Sequence, residues 1–226
     1  MTSSIIIMLT HNDQTHINAL NIFESVKDLD IQYWGFKDVG LPFHKMKELI
    51  GNMKAAGKTT FFEVVSYSAG ECMSGVKVAV ELGFDYLMGT LFYDDVFEYV
   101  KSKGIKYLPF AGDIQGHPSI LKGTIQEVIE NAAYMTAKGV LGFDLIAYRF
   151  TGDCELLANR FVNEVSVPVV IAGSIDSAER IKIVCEINPF AFTMGSALFN
   201  SRFVTDGTFR ENLCEVMRIM NELQKS

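Results

Sequence analysis

The sequence predicts an α/β protein: a single (β/α)8 TIM barrel with eight parallel strands over residues 1–226. Three observations carry this. Short apolar runs alternate with helical patterns eight times along the chain. The runs are apolar throughout rather than alternating, as parallel strands buried on both faces are. The last two, starting at Val167 and Phe190, both close on Gly-Ser, at Gly173-Ser174 and Gly195-Ser196. Small residues there leave backbone N–H groups free beside the positive end of a following helix, which is where an anion binds. In eight-fold barrels the loops after strands seven and eight often hold a phosphate.

The elements follow in order. Ile5 to Leu9 is a buried strand closed by Thr10-His11-Asn12-Asp13, and Ile17, Leu20 and Phe23 open a helix. Ile31 to Phe36 is the second strand, ending at Lys37-Asp38. Gly40-Leu41-Pro42 turns into a helix bearing Met46, Leu49, Ile50 and Met53, stopped by Gly57. Thr59 to Val65 is the third strand, and Ser68-Ala69-Gly70-Glu71 is a capping box for a helix ending at Leu82-Gly83. Asp85 to Met88 is the fourth strand, followed by a helix over Asp95 to Lys103 and a stop at Gly104. Ile105 to Phe110 is the fifth. A long loop, Ala111 to Gly123, precedes a helix capped by Thr124 and Glu127 and ended by Gly139. Phe143 to Tyr148 is the sixth strand, with a helix over Asp153 to Val165. After the seventh strand Asp176 and Glu179 have N-cap and N3 spacing, with Ile181, Val184 and Cys185 at helical intervals. Phe209 to Leu223 is the last helix. The repeated Gly-Phe-Asp at Asp85 and Asp144 marks helix-to-strand junctions, which places both carboxylates at the bottom of the barrel in structural roles.

Composition narrows the function classes. The net charge is −7 with no Lys/Arg cluster, which argues against nucleic acid as a partner. No run approaches a membrane span, and the N-terminus lacks the pattern of a signal peptide, so a cytoplasmic protein is expected. The four cysteines form no C-x-x-C pair, and Cys72, Cys185 and Cys214 read as buried small apolar residues. No G-x-G-x-x-G follows the first strand. No cofactor and no metal is expected: His11, Asp13, His16, Glu63 and Asp113 are the potential ligands, and His11 and His16 lack i, i+4 spacing. The expected partner is a small phosphorylated metabolite, and the sequence allows for a homo-oligomer.

Active residues of such a barrel come from the C-terminal ends of its strands. Alternation puts Tyr33, Gly35 and Lys37 on one face and Trp34 and Phe36 on the other. The aromatics suit the layer beneath the helices, so Lys37 points into the barrel mouth. Desolvation could lower its pKa and make it a base or Schiff-base nucleophile; otherwise it is a solvated lysine, or one that pairs with Glu63 or a ligand anion. Glu63 lies among Phe61, Phe62, Val64 and Val65 and needs a partner there, as a proton-transfer group or a structural one. Lys37 and Glu63 sit on neighbouring strands and are expected within reach of one another. Arg149 is a carboxylate or phosphate clamp or a rim arginine. His11, Asn12, Asp113, His117 and Tyr148 complete the candidate substrate-binding set, the histidines being acid/base groups or loop hydrogen-bonders. Gly173, Ser174, Gly195 and Ser196 are the candidate phosphate-binding residues. The 111–123 loop is expected to cover the site.

The Ala172-Gly173-Ser174-Ile175-Asp176 and Met194-Gly195-Ser196-Ala197 runs resemble the paired phosphate loops of the ribulose-phosphate-binding barrel superfamily. Glu81-Leu82-Gly83-Phe84-Asp85 followed by Met88-Gly89-Thr90-Leu91 resembles N-acetylmannosamine-6-phosphate epimerases. Gly35-Phe36-Lys37 falls where those enzymes place a catalytic lysine. Ala172 stands where they carry an acidic residue, and the layout is also similar to glycerol-3-phosphate-responsive antiterminators, which are regulators. The resemblance therefore implies the superfamily and a phosphorylated ligand. Two functions are expected from it: an isomerase, epimerase or aldolase/lyase acting on a phosphorylated sugar or similar carbonyl metabolite, with Lys37 and Glu63 catalytic, or a non-catalytic phosphate-ligand-binding regulatory barrel.

Overall fold

The computed structural model describes residues 3–224; the two outermost residues at each end of the predicted 1–226 domain lie outside the described residues. Eight parallel strands form the sheet: β1 Ser4–Met8, β2 Tyr33–Lys37, β3 Thr59–Val64, β4 Tyr86–Gly89, β5 Lys106–Leu108, β6 Phe143–Leu145, β7 Val169–Ile171 and β8 Ala191–Met194. Their order is β6-β7-β8-β1-β2-β3-β4-β5. The barrel closes between β5 and β6, where Phe110 bridges Asp144 and the Asp144 N–H donates to Pro109 O at 3.0 Å. Pro109 has no N–H for a ladder, so this seam is carried by few bonds.

Helices α1 Ala19–Val26, α2 Phe43–Ala55, α3 Ala69–Leu82, α4 Asp94–Lys103, α5 Ile125–Ala137, α6 Cys154–Glu164, α7 Ala178–Ile187, α8 Ser196–Phe199 and α9 Phe209–Leu223 surround the strands. The caps explain where several begin. Ser68 Oγ accepts from the Glu71 N–H, and Thr124 and Glu127 form a complete capping box. Ser177, not Asp176, caps α7: its side chain accepts from the Arg180 N–H. Asp176 is left one residue outside the helix and pairs with arginines. The first helix starts at Ala19, and Ile17 is 71% exposed, because the chain first folds back as a hairpin of Thr10–His11 and Gln14–Thr15. Strand six is shorter than the sequence suggests. After Leu145 the chain turns into a 3-10 segment, Ala147–Arg149, so Tyr148 and Arg149 stand on a turn. The 111–123 loop is itself a hairpin, pairing Asp113–Gln115 with Ile120–Lys122.

Two apolar layers result. Trp34, Phe36, Phe62 and Phe84 belong to the layer between sheet and helices, and Trp34 Nε1 donates to Ile31 O at 3.0 Å. Ile6, Met8, Phe61, Met88, Leu108, Val170 and Ala191 fill the barrel itself. Gly35 faces inward: a Cβ there would lie 2.7 Å from both Met8 Sδ and Phe61 O. Cys72 is buried as expected, whereas Cys185 is half-buried and Cys214 exposed, because the positions they take on α7 and α9 turn towards solvent.

Asp85 closes the bottom of the sheet. Its carboxylate accepts from the Thr60 N–H at 2.7 Å and Thr60 Oγ1 at 2.8 Å, tying the start of β4 to β3. Asp85→Ala leaves two donors of the buried Thr60 without this partner and is expected to cost about 1–3 kcal/mol, read from the denaturant midpoint. An unchanged midpoint would show that water replaces the carboxylate.

Candidate active site

The C-terminal ends of the strands open onto a cavity of about 580 Å3, within the range of small-molecule sites, roughly 300–1,000 Å3. Its floor is the charged ends of β2 and β3 with the hairpin that follows β1. Lys37 and Glu63 are register partners on neighbouring strands, both inward, with Nζ 3.4 Å from Glu63 Oε1. The expected pairing is therefore present. A third member joins them: Asp13 Oδ1 lies 3.0 Å from Lys37 Nζ. Asp13 also accepts from Arg149, at 3.1 Å from Nη2 and 3.4 Å from Nη1.

The local sequence places Asp13 there. Asn12 and Asp13 both take positive φ, 50° and 61°, which short polar residues tolerate and which a tight hairpin turn needs. The hairpin is pinned to the end of β2: Thr15 Oγ1 donates to Lys37 O at 2.8 Å and accepts from the Lys37 N–H at 2.9 Å. Asp13 thus folds back over the barrel mouth. The sequence offers it only as a potential metal ligand; its signal is the Asn-Asp pair at a turn directly after a strand.

The charges adjust to one another. Burial works to depress the Lys37 pKa, but Glu63 and then Asp13 more than offset it, and the ammonium is held above the usual lysine value. Burial likewise raises the Asp13 carboxyl, while Lys37 and Arg149 pull it below the usual carboxylate range. Lys37 is only 8% exposed and is a stable cation here. The lowered pKa that a free-amine role needs is absent from this arrangement.

The wall opposite is made by the two Gly-Ser turns. Gly173 and Ser174 have φ of 89° and 33°, and Gly195 precedes α8. Both turns line the cavity and leave it open between residues 173–176 and 195–197. The Asn12 N–H donates to Ser196 Oγ at 3.1 Å, joining the first-strand hairpin to this wall. Asp176 also faces the cavity. It pairs with Arg180 at 3.1 Å and Arg202 at 3.5 Å, and Arg180 donates to Ser174 O. Two arginines against one carboxylate leave a net positive charge at the turns.

The other candidates fall outside the cavity. Tyr148 stacks beneath Arg180, 4.6 Å from guanidinium carbon to ring centroid, with its hydroxyl buried and pushed up to about 12 by that burial. It supports the Ser174 turn from behind. His11 Nε2 donates to Asn200 Oδ1 at 2.9 Å and its ring stacks on Phe199. The Asn12 side chain is exposed at the rim. Asp113 and His117 are exposed on the 113–122 hairpin, where His117 lies beside the Tyr67 ring and Asp113 accepts from Gln115. That hairpin reaches the cavity through Ser119, which is buried and shares a hydrogen bond with Tyr67 at 2.7 Å. Thr90, at the end of β4, is bonded to Tyr107. Among the described residues no group of three or more His, Cys, Asp or Glu is gathered for a metal ion, and no helix is long and apolar enough to cross a membrane.

Asp144 departs most from expectation. The Gly-Phe-Asp repeat suggests the barrel bottom for both aspartates, and Asp85 is there. Asp144 is not. It pairs in register with Val170 and bridges Phe110, inside the barrel, 1% exposed. Strand six has only three residues, so its second position already stands at mid-height.

No protein-family model matches the chain, and no curated protein matches it. Solved structures do. Orotidine 5'-phosphate decarboxylase from Pyrococcus horikoshii OT3 superposes with a TM-score of 0.69 at 13% identity, over 97% of this chain and 99% of that one. The N-acetylmannosamine-6-phosphate 2-epimerase from Clostridium perfringens gives 0.65 at 12%, over 91% and 93%. A glycerol uptake operon antiterminator regulatory protein from Listeria monocytogenes gives 0.59 at 16%, over 85% and 91%. Identities this low speak for architecture alone, and in architecture the chain takes the (β/α)8 barrel fold that these structures share.

Proposed function

We propose that the chain is an enzyme that moves a proton beside the carbonyl of a small phosphorylated metabolite, such as a sugar phosphate, in an isomerase, epimerase or aldolase/lyase reaction. One observation carries the reading. The Asp13–Lys37–Glu63 cluster stands on one side of a cavity whose other side is the pair of Gly-Ser turns. The turns take the phosphate through their N–H groups, with Arg202 and Arg180 supplying charge. The carbonyl end then lies over Lys37. The ammonium of Lys37 polarises the carbonyl oxygen and stabilises the enolate that forms. Glu63 accepts the proton from the neighbouring carbon and returns it. Asp13 and Arg149 hold Lys37 and its partners in place. A Schiff-base route requires the Lys37 amine to be free, and its carboxylate neighbours disfavour that form.

The test has two stages. Sugar phosphates are screened by thermal shift, and the binders are incubated with the protein in deuterium oxide. Deuterium is expected to enter the carbon beside the carbonyl, followed by NMR. Binding without exchange or turnover would favour the regulatory barrel, the function that the antiterminator carries on the same fold. Absence of binding by any phosphorylated compound would overturn both.

A further inference from the structure

Asp144 stands on β6 with its side chain inside the barrel, since Phe143 and Leu145 pack on the outer layer. Neither of its carboxylate oxygens meets a donor in full hydrogen-bond geometry among the described residues; the Gly89 N–H at the end of β4 acts on it only weakly. The neighbouring strands present Val170, Met88 and Leu108 to this interior, all apolar, and Phe110, which bridges Asp144, lines the cavity above. The charged groups that act on Asp144 are Glu63 from β3, Lys37 from β2 and Arg149 from the turn after β6; Asp13, above, is bound to the last two. An ionised carboxylate with so little hydrogen bonding is expensive in such surroundings, whereas a neutral acid is far less so. Two carboxylates sharing one interior compete to be the charged one. Glu63 has the Lys37 ammonium 3.4 Å away and touches the cavity; Asp144 has neither advantage.

We propose that Asp144 is a neutral carboxylic acid that takes the single proton of a buried Asp144–Glu63 pair, leaving Glu63 ionised to act on the ligand. Asp144 is then a positioning residue, because it works through Glu63. The inference rests on the reading of Glu63 as the proton acceptor. The step balances: the ligand C–H proton passes to a Glu63 oxygen, and the C–H electron pair moves into the enolate beside the Lys37 ammonium. The pair then holds two protons, and Glu63 returns one as the new C–H bond forms. Burial, with the Glu63 charge added to it, pushes the Asp144 acid well above the usual carboxylate range, which agrees with the geometry.

Infrared spectroscopy of the full chain at pH 7 is expected to show a protonated-carboxyl C=O band that Asp144→Asn removes. Glu63→Gln, which takes away the competing charge, is expected to move the loss of that band to lower pH. Folding stability gives an independent sign. A carboxyl with a raised native pKa contributes stability that is full below its unfolded value, 3.8, and is lost as pH rises towards the native value. Asparagine undergoes no such loss. The ratio of the Asp144→Asn folding constant to that of the parent is therefore expected to rise by about tenfold or more between pH 4 and 7. An ionised structural aspartate would move that ratio the other way, overturning the proposal. A band indifferent to Glu63→Gln would overturn the pairing, and both band measurements stand even if Asp144→Asn folds poorly. If the band and its shift are found but no sugar phosphate is turned over, the pair stands and the enzymatic reading fails. Turnover without the band has the opposite meaning.

Discussion

Lys37→Met is expected to cut turnover by roughly a hundredfold or more while leaving the affinity for inorganic phosphate little changed. The two effects separate because the two jobs sit on opposite walls. Lys37 is on β2 against Asp13 and Glu63, and the anion is expected at the turns after β7 and β8. Methionine keeps the length of the stem but removes the charge that would meet the enolate oxygen. It also leaves Glu63 without its ammonium partner, although Asp13 keeps Arg149 at 3.1 Å. Removing one member of a buried ion pair costs about 3–5 kcal/mol, so the variant is expected to unfold at lower temperature. Single-turnover rates and phosphate calorimetry below that temperature read the chemistry apart from stability. Turnover that survives the substitution would remove Lys37 from the reaction. Phosphate affinity that collapses with it would place the anion on Lys37 rather than on the turns.

That division of labour was partly legible in the sequence, and the reason is one of geometry. Alternation along a strand assigns a side chain to a face, and so Tyr33-Trp34-Gly35-Phe36-Lys37 reads correctly: Trp34 and Phe36 lie under the helices and Lys37 points inward. The caps at Ser68 and Thr124 are equally local, since a side chain three residues from a free N–H decides them. Height in the barrel is not local. It depends on register between strands that are far apart in sequence, and on how short each strand is. Asp85 precedes its strand and binds Thr60 at the bottom, while Asp144, in the same Gly-Phe-Asp context, is already within a three-residue strand. Asp13 illustrates the same limit from the loop side. Two successive left-handed residues turn a strand end back on itself, and only the fold shows that the return passes over Lys37. Asp176 lost its capping role to Ser177 by one residue, which frees its carboxylate to hold Arg180 and Arg202 at the cavity.

Gly195→Ala is the substitution expected to damage anion binding most. A Cβ at Gly195 would stand 2.7 Å from Thr10 Oγ1, 2.8 Å from Thr10 O and 3.1 Å from Met8 O. The hydroxyl can rotate away, but two of the three atoms are carbonyl oxygens of β1 and its continuation, held by the sheet. The turn must therefore move outward, carrying the Ser196 N–H away from where a phosphate oxygen would sit. Overpacking of this kind costs about 1–3 kcal/mol, and if most of it falls on the bound state, phosphate affinity drops by roughly tenfold to a hundredfold. Gly173→Ala acts on the facing turn by a different route. Its φ of 89° is unfavourable for any side chain, and its Cβ would meet Arg149 Cγ at 3.1 Å, so it also disturbs the Arg149–Asp13 pair. Gly51→Ala supplies the control: it lies in α2 with nothing within 4 Å of the new methyl group, and is expected to be neutral or slightly stabilising. Calorimetric titration of all three with inorganic phosphate checks the assignment. If Gly195→Ala and Gly173→Ala bind phosphate as the parent does, the two turns are not the anion site, and the carbonyl of the ligand has no reason to lie over Lys37.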